Sequence, residues 1–230
     1  MYTYPQNIDM EAWFPFDCSL IRNGVWRKLP SSSKSIFPVI GAFRNKAGYS
    51  YITERTVAIL AGRTDKTVRS GMRGLSSIPA VSMRYYTSKH GRRAKGFFFP
   101  VPEQESFPFH RCIFEKGLWQ HLPPTAQALY PVMRFFSLLD EKLHKLYDSE
   151  RITQLHSYCN PKKEELIHFA GISGQTLSTA FDSLLACELI ESMEKDPGGN
   201  TVIWKVYHKT ESWFPREYLN DIISSRYGSG

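Results

Sequence analysis

The sequence lacks clustered cysteines, long apolar runs and a secretory signal, and each absence removes a class of protein. Its four cysteines are far apart and none belongs to a Cys-x-x-Cys pair, so we expect free thiols rather than a disulfide framework. The longest apolar stretches, such as 97–99 and 184–186, are far shorter than the roughly 20 residues of a membrane span. We therefore expect a cytoplasmic protein with no membrane partner.

Recognisable catalytic and metal-binding patterns are missing as well. His156, Cys159 and His168 are the nearest approach to zinc-ligand spacing, and ordinary surface and core positions explain them better. We find no Gly-rich phosphate loop, no nucleophile elbow and no convincing pair of carboxylates. The sequence therefore predicts a protein that is not an enzyme and that uses no cofactor and no metal.

Charge is the first positive signal, because it is unevenly distributed. Residues 1–103 contain 16 Lys and Arg against 6 Asp and Glu, a net charge of +10, whereas residues 104–230 contain 13 against 16, a net charge of −3. Hydrophobic residues make up 42% of the chain, which is typical of globular proteins. A basic half joined to a mildly acidic half indicates that only one half faces a polyanion.

The sequence also repeats itself. Residues 14–40 align with residues 107–133 without a gap at an offset of 93, with nine identities in 27 positions. The correspondence resumes at an offset of 109, where Ala61-Gly62 matches Ala170-Gly171. We infer an internal duplication, with about 16 extra residues of the second repeat between Ser137 and Asn160. The identical pairs are Phe14/Phe107, Pro15/Pro108, Phe16/Phe109, Gly24/Gly117, Trp26/Trp119, Leu29/Leu122, Pro30/Pro123, Pro38/Pro131 and Val39/Val132.

Two repeats of about 100 residues predict two domains, 1–103 and 104–230, the latter ending in a C-terminal helix. In each, a first helix is expected to begin at capping hydroxyls, Ser31 to Ser33 and Thr125. Two short helices follow around a glycine turn. We predict Thr53 and then Thr64 or Asp65 as the caps in the first repeat, and Asn160 and Ser173 in the second.

The second short helix of each repeat is amphipathic. Its predicted inward residues are Val68, Met72 and Leu75 in the first repeat, and Leu177, Phe181 and Leu184 in the second. A strand–turn–strand pattern follows each helix, at 80–99 and at 188–208. This order resembles the winged-helix superfamily. The expected fold class is α+β, mainly α with small β-hairpins, formed by two tandem winged-helix domains.

The resemblance implies that the second short helix of the first repeat enters the major groove of double-stranded DNA. The basic hairpin would lie along the backbone or in the minor groove, and Arg63 would contact a phosphate. The residues expected to contact DNA are Arg63, Lys66, Thr67, Arg69, Ser70, Arg73, Arg84, Lys89, His90, Arg92, Arg93 and Lys95.

The second repeat has no Lys or Arg at the corresponding helix positions. Gln175, Thr176, Ser178 and Thr179 remain as residues for a weaker second DNA contact. The alternative is a surface for a homodimer, formed by the second domain or the C-terminal segment, or for another protein partner. We expect the Trp26/Trp119 pair and the aromatic run at 97–99 to pack in the core rather than to bind single strands.

The tandem arrangement and the segment AGRTDKTVRSGMRGL resemble bacterial helix-turn-helix proteins of plasmids and other mobile elements. This resemblance implies a nucleoid- or plasmid-associated transcriptional regulator as the first interpretation. A replication initiator that binds origin repeats is the second, and a winged-helix protein-interaction module is the third.

Overall fold

A computed structural model describes residues 13–45, 47–76, 78, 81–87, 93–99, 102, 105–139, 156–195 and 202–207. Among these residues the architecture is α+β, with helices packed against three small antiparallel sheets. The predicted domain boundary at residues 103 and 104 lies outside the described residues. So do the predicted C-terminal helix and most of the extra segment of the second repeat.

The described part of the first half, residues 1–103, begins with a strand and two single-turn helices and continues through a longer helix to a strand pair. Its described elements are β1 (Trp13–Asp17), α1 (Ser19–Arg22), α2 (Val25–Lys28), α3 (Ser31–Ala42), β2 (Tyr49–Ser50), α4 (Glu54–Ala61), α5 (Asp65–Leu75), β3 (Ser82–Thr87) and β4 (Arg93–Phe98).

The second half, residues 104–230, presents the same kinds of element in the same order. They are β5 (Ser106–His110), α6 (Cys112–Glu115), α7 (Leu118–His121), α8 (Pro124–Leu139), β6 (His156–Cys159), α9 (Lys163–Ala170), α10 (Gly174–Ala186), β7 (Ile190–Lys195) and β8 (Val202–Tyr207). Helices α3 and α8 each contain an internal proline, Pro38 and Pro131.

Each half has a three-stranded sheet, and the two halves share a third. The strand orders are β2-β4-β3 and β6-β8-β7, so in both the short first strand pairs with the last. Strand β1 pairs with β5 in an antiparallel ladder that joins the halves. The sequence repeat marked these two segments as equivalent without predicting that they pair.

Side-chain caps begin three of the four short helices as predicted, and three expected caps are wrong. The hydroxyls of Thr53, Thr64 and Ser173 accept hydrogen bonds from backbone N–H groups three residues later. Helix α3 instead follows Pro30, which has no side-chain cap, and Thr125 lies inside α8. Helix α9 begins after Lys162 rather than Asn160, because the Glu165 carboxylate accepts the Lys162 N–H at 2.8 Å.

The amphipathic helices bury the predicted faces. Val68, Met72 and Leu75 of α5 are buried, as are Leu177 and Leu184 of α10, whereas Phe181 is half-buried. Gly71 sits where α5 crosses α3, and a Cβ there would lie 2.7 Å from Ile36 Cδ1. A connected cluster of buried side chains extends across both halves, so burial of apolar surface stabilises them together.

The contacts between the halves are reciprocal. The Trp26 indole N–H donates to the Ala128 carbonyl at 3.0 Å, and the Trp119 N–H donates to Ser35 at 2.9 Å. Ser35 and Ala128 occupy equivalent positions of the repeat. The two tryptophans therefore make equivalent hydrogen bonds, each to the opposite half. These two indoles are fully buried, which confirms their predicted place in the core.

The glycine turns take part in the same reciprocal packing. Gln127 Nε2 donates to the Ala61 carbonyl at 3.2 Å, and Lys34 Nζ donates to the Ala170 carbonyl at 2.8 Å. Lys34 and Gln127 are equivalent in the repeat, and so are the two alanines that end α4 and α9. A side chain of each half therefore donates a hydrogen bond to the glycine turn of the other half. Within the described part of the chain, no helix has the length and apolar character that a bilayer crossing requires.

Candidate nucleic-acid interface

Helix α5 turns a polar and mostly cationic face to solvent. Lys66, Arg69, Ser70 and Arg73 are all exposed, whereas Thr67 is half-buried. The Thr67 backbone N–H donates to the Thr64 hydroxyl at 3.3 Å, so this threonine belongs to the helix cap. The structure therefore brings four of the predicted contact residues onto one accessible helix surface.

Arg69 has a neighbour that the sequence did not reveal. Its Nη1 lies 3.8 Å from Oε2 of Glu54, and the two side chains are 55% and 34% exposed. An ion pair this exposed contributes little to stability, so the guanidinium can exchange the carboxylate for another acceptor. Glu54 stands in the first turn of α4, where an acidic residue is favourable after the Thr53 cap. The sequence places Glu54 in the first turn of a helix, but this position does not predict an ion pair with Arg69.

Arg63 requires a correction. We expected a phosphate contact, but its guanidinium donates to Gln127 Oε1 at 2.6 Å and to Ser35 Oγ at 3.3 Å. The side chain is half-buried between the halves, and this burial lowers the pKa of the guanidinium. Its donors are used in holding the glycine turn against the second half, so we remove Arg63 from the set of DNA contacts.

The basic hairpin is only partly described. Lys89, His90 and Arg92 lie outside the described residues. The ladder between β3 and β4 pairs Lys95 with Tyr85 and Arg93 with Thr87, which fixes their backbone positions.

Arg84 of β3 is exposed, but it lies among aromatic rings. It donates from Nη1 to the Tyr49 hydroxyl at 3.3 Å, and its Cζ lies 5.9 Å from the centre of the Phe98 ring.

The equivalent helix of the second half, α10, has an exposed but uncharged or acidic surface. Gln175, Ser178, Thr179 and Asp182 are exposed, and Thr176 is half-buried with its hydroxyl donating to the Ser173 carbonyl at 3.0 Å. This face offers amide and hydroxyl groups for hydrogen bonds without the attraction to phosphate that cations give.

Among the described residues, the cysteines and histidines do not come together at one centre. Cys18, Cys112 and Cys159 are buried and Cys187 is half-buried. The His168 ring lies beside the Arg27 guanidinium, with Nε2 and Nη1 2.6 Å apart. Within the ranges given above, no group of three His, Cys, Asp or Glu side chains is arranged to hold a metal ion.

The chain matches no protein-family model, no curated protein and no solved structure.

Proposed function

We propose that the chain is a sequence-specific, double-stranded DNA-binding protein made of two tandem winged-helix units related by internal duplication. The order of elements supports this. In each half a long helix is followed by a short strand, a two-helix segment with a glycine turn, and a strand pair. The turn glycines, Gly62 and Gly171, have φ of 65° and 60°, as a tight helix-turn-helix turn requires.

The observation that carries the proposal is the exposed face of α5. It presents three cations and a hydroxyl within two turns of a helix whose opposite face is buried. Arginine donates two parallel hydrogen bonds to the O6 and N7 acceptors of guanine, and the Arg69 and Arg73 side chains are free of core packing. Lys66 and Ser70 would position the helix on phosphates. The net charge of +10 in this half supports the same assignment.

The second unit has a different role in this proposal. Its α10 face carries no cation, so we propose a weaker contact to bases through Gln175, Ser178 and Thr179. The alternative is a dimerisation or partner surface. The two are separated by substituting these residues: a change in affinity for DNA supports the first, and a change in oligomeric state alone supports the second.

The biological role that we propose is transcriptional regulation by a protein of the cytoplasm, associated with nucleoid or plasmid DNA, rather than catalysis. The deciding experiment is crosslinking in cells followed by sequencing of the DNA bound to the full chain. A regulator will occupy one or a few sites that overlap promoters. Several direct repeats in an A·T-rich origin would identify a replication initiator instead. Recovery of no enriched site would overturn sequence-specific binding.

A further inference from the structure

The solvent side of the β2-β4-β3 sheet carries an unexpected row of aromatic rings. Strand alternation and the ladder register place Arg84 opposite Gly96 and Tyr49 opposite Phe98 on one side of the sheet, while Phe97 is buried on the other side. We call this surface, formed by Tyr49, Tyr51, Arg84, Tyr86 and Phe98, the aromatic face.

The rings of the aromatic face form a continuous row. Tyr51 meets Tyr86 edge-on with centroids 4.5 Å apart, and Tyr49 lies 4.9 Å from Phe98. Tyr49 and Tyr51 are nearly parallel, with centroids 6.1 Å apart and an interplanar angle of 7°. The Tyr51 side chain stays 45% exposed. Large aromatic rings outside the core are informative, because burial would be favourable for each of them.

Gly96 makes room for this row. A Cβ at Gly96 would lie 3.0 Å from Cδ1 of Tyr51, so the absent side chain lets the ring approach the β4 backbone closely. The tyrosine is thus supported from below by backbone, with its outer surface left open to solvent.

Charge decides which ligand suits the aromatic face. Strands β2, β3 and β4 contain no Asp or Glu, and the register places the cation Arg84 on the aromatic face, whereas the positions of Arg93 and Lys95 belong to the opposite side of the sheet. In the second half the equivalent sheet has Glu191 in place of Arg84, and the Tyr207 hydroxyl donates to its carboxylate. The first sheet is therefore suited to a polyanion and the second is not.

We propose that the aromatic face binds unpaired bases of single-stranded DNA. Bases stack on the tyrosine rings because every base has a π-face, and Arg84 contacts the backbone phosphate or stacks on a base. This activity does not rest on duplex recognition by α5, because it uses other residues on another surface.

The test is fluorescence anisotropy of the full chain with a fluorescein-labelled oligothymidine of about 15 nucleotides, a length within known site sizes. The variant Tyr51→Leu with Tyr86→Leu removes the exposed ring of Tyr51 and the half-buried ring of Tyr86, and keeps apolar volume over Gly96. We expect it to weaken binding about 10-fold or more, and Arg84→Gln to weaken it less. The matched control is Tyr85→Leu, on the same strand but the opposite side and 51% exposed, which should bind as the unaltered protein does.

Three results would overturn the proposal. The first is that the unaltered chain does not bind oligothymidine, and the second is that the double variant binds it with unchanged affinity. The third is that Tyr85→Leu weakens oligothymidine binding as much as the double variant does. Tighter binding to oligouridine would assign the face to RNA instead. A dimer in analytical ultracentrifugation that Tyr51→Leu dissociates, without oligothymidine binding, would make the face a protein contact. Thermal unfolding of each variant and its affinity for duplex DNA show whether the fold and the α5 surface are intact.

Discussion

Pro15 lies directly opposite Pro108 in the ladder between β1 and β5, and the two prolines occupy the same position of the sequence repeat. The ladder is therefore symmetric about this pair, and the rings of Phe16 and Phe107 stack beside it at 4.8 Å. Prolines are tolerated because each strand of a two-stranded sheet has a free edge for the missing N–H. The halves meet as two subunits of an isologous dimer would.

The first prediction concerns the isolated first half. Residues 1–103 alone would expose Phe14, Phe16 and the indole of Trp26, which the intact chain buries against the second half. We expect no cooperative thermal unfolding of this fragment by circular dichroism, and recovery of a transition when residues 104–230 are added. A fragment that unfolds cooperatively by itself would show that the shared core is dispensable.

The second prediction concerns the glycine turns. A Cβ would lie 2.2 Å from the Gln120 carbonyl oxygen at Gly62, and 2.3 Å from that of Arg27 at Gly171. Left-handed backbone adds about 1–2 kcal/mol for alanine, so we expect Gly62→Ala and Gly171→Ala each to lower the free energy of unfolding by about 2 kcal/mol or more. Urea denaturation measures this.

The matched control for the turns is Gly174→Ala. Its Cβ would meet Ile167 at an ordinary 3.4 Å, and its helical position favours alanine. The control should be neutral or stabilising. Equal losses at all three glycines would contradict a specific role for the two turns.

The third prediction uses pH. Burial lowers the pKa of the Lys34 ammonium to about 8 from its ordinary 10.5. Between these values the unfolded chain binds more protons, so stability rises with pH, by about 1 kcal/mol from pH 7 to 9. Lys34→Gln, which introduces the residue type found at the equivalent position 127, should abolish this rise in stability with pH.

The measurement is the difference between the two proteins in urea unfolding at pH 7 and pH 9. The comparison stops at pH 9 because burial raises the pKa of the Cys18 thiol to about 12, and stability from that group is lost as pH rises further. If the stabilities of the two proteins depended on pH in the same way, the claim that burial lowers the pKa of the Lys34 ammonium would be refuted.

Local patterns predicted the helices and their faces better than they predicted partners. Thr53, Thr64 and the two turn glycines act within three or four residues, so short-range rules find them. Arg63 was misassigned because its acceptor, Gln127, is 64 residues away and belongs to the other half. The pairing of Glu54 with Arg69 likewise depends on how α4 and α5 cross, which periodicity does not specify.

The aromatic face is a second feature that local sequence patterns did not predict. Tyr86 lies in a predicted strand, whereas Tyr49 and Tyr51 lie in a segment for which the sequence predicted no element. Aromatic rings are enriched in strands whichever side they occupy, so composition did not indicate a shared surface. Only the registers of β2 and β3 on β4 show that these rings share the solvent side.

Duplex binding by α5 is tested most directly by the double variant Arg69→Ala with Arg73→Ala, titrated against a site selected from random duplexes. Both side chains are exposed, so the fold should be retained. We expect specific affinity to fall about 100-fold or more, with little change in the slope of log affinity against log salt, because these two side chains contact bases rather than phosphates. The matched pair on α10, Ser178→Ala with Thr179→Ala, should change affinity less than about 10-fold. Unchanged affinity of the arginine variant for the selected site would contradict recognition by this helix.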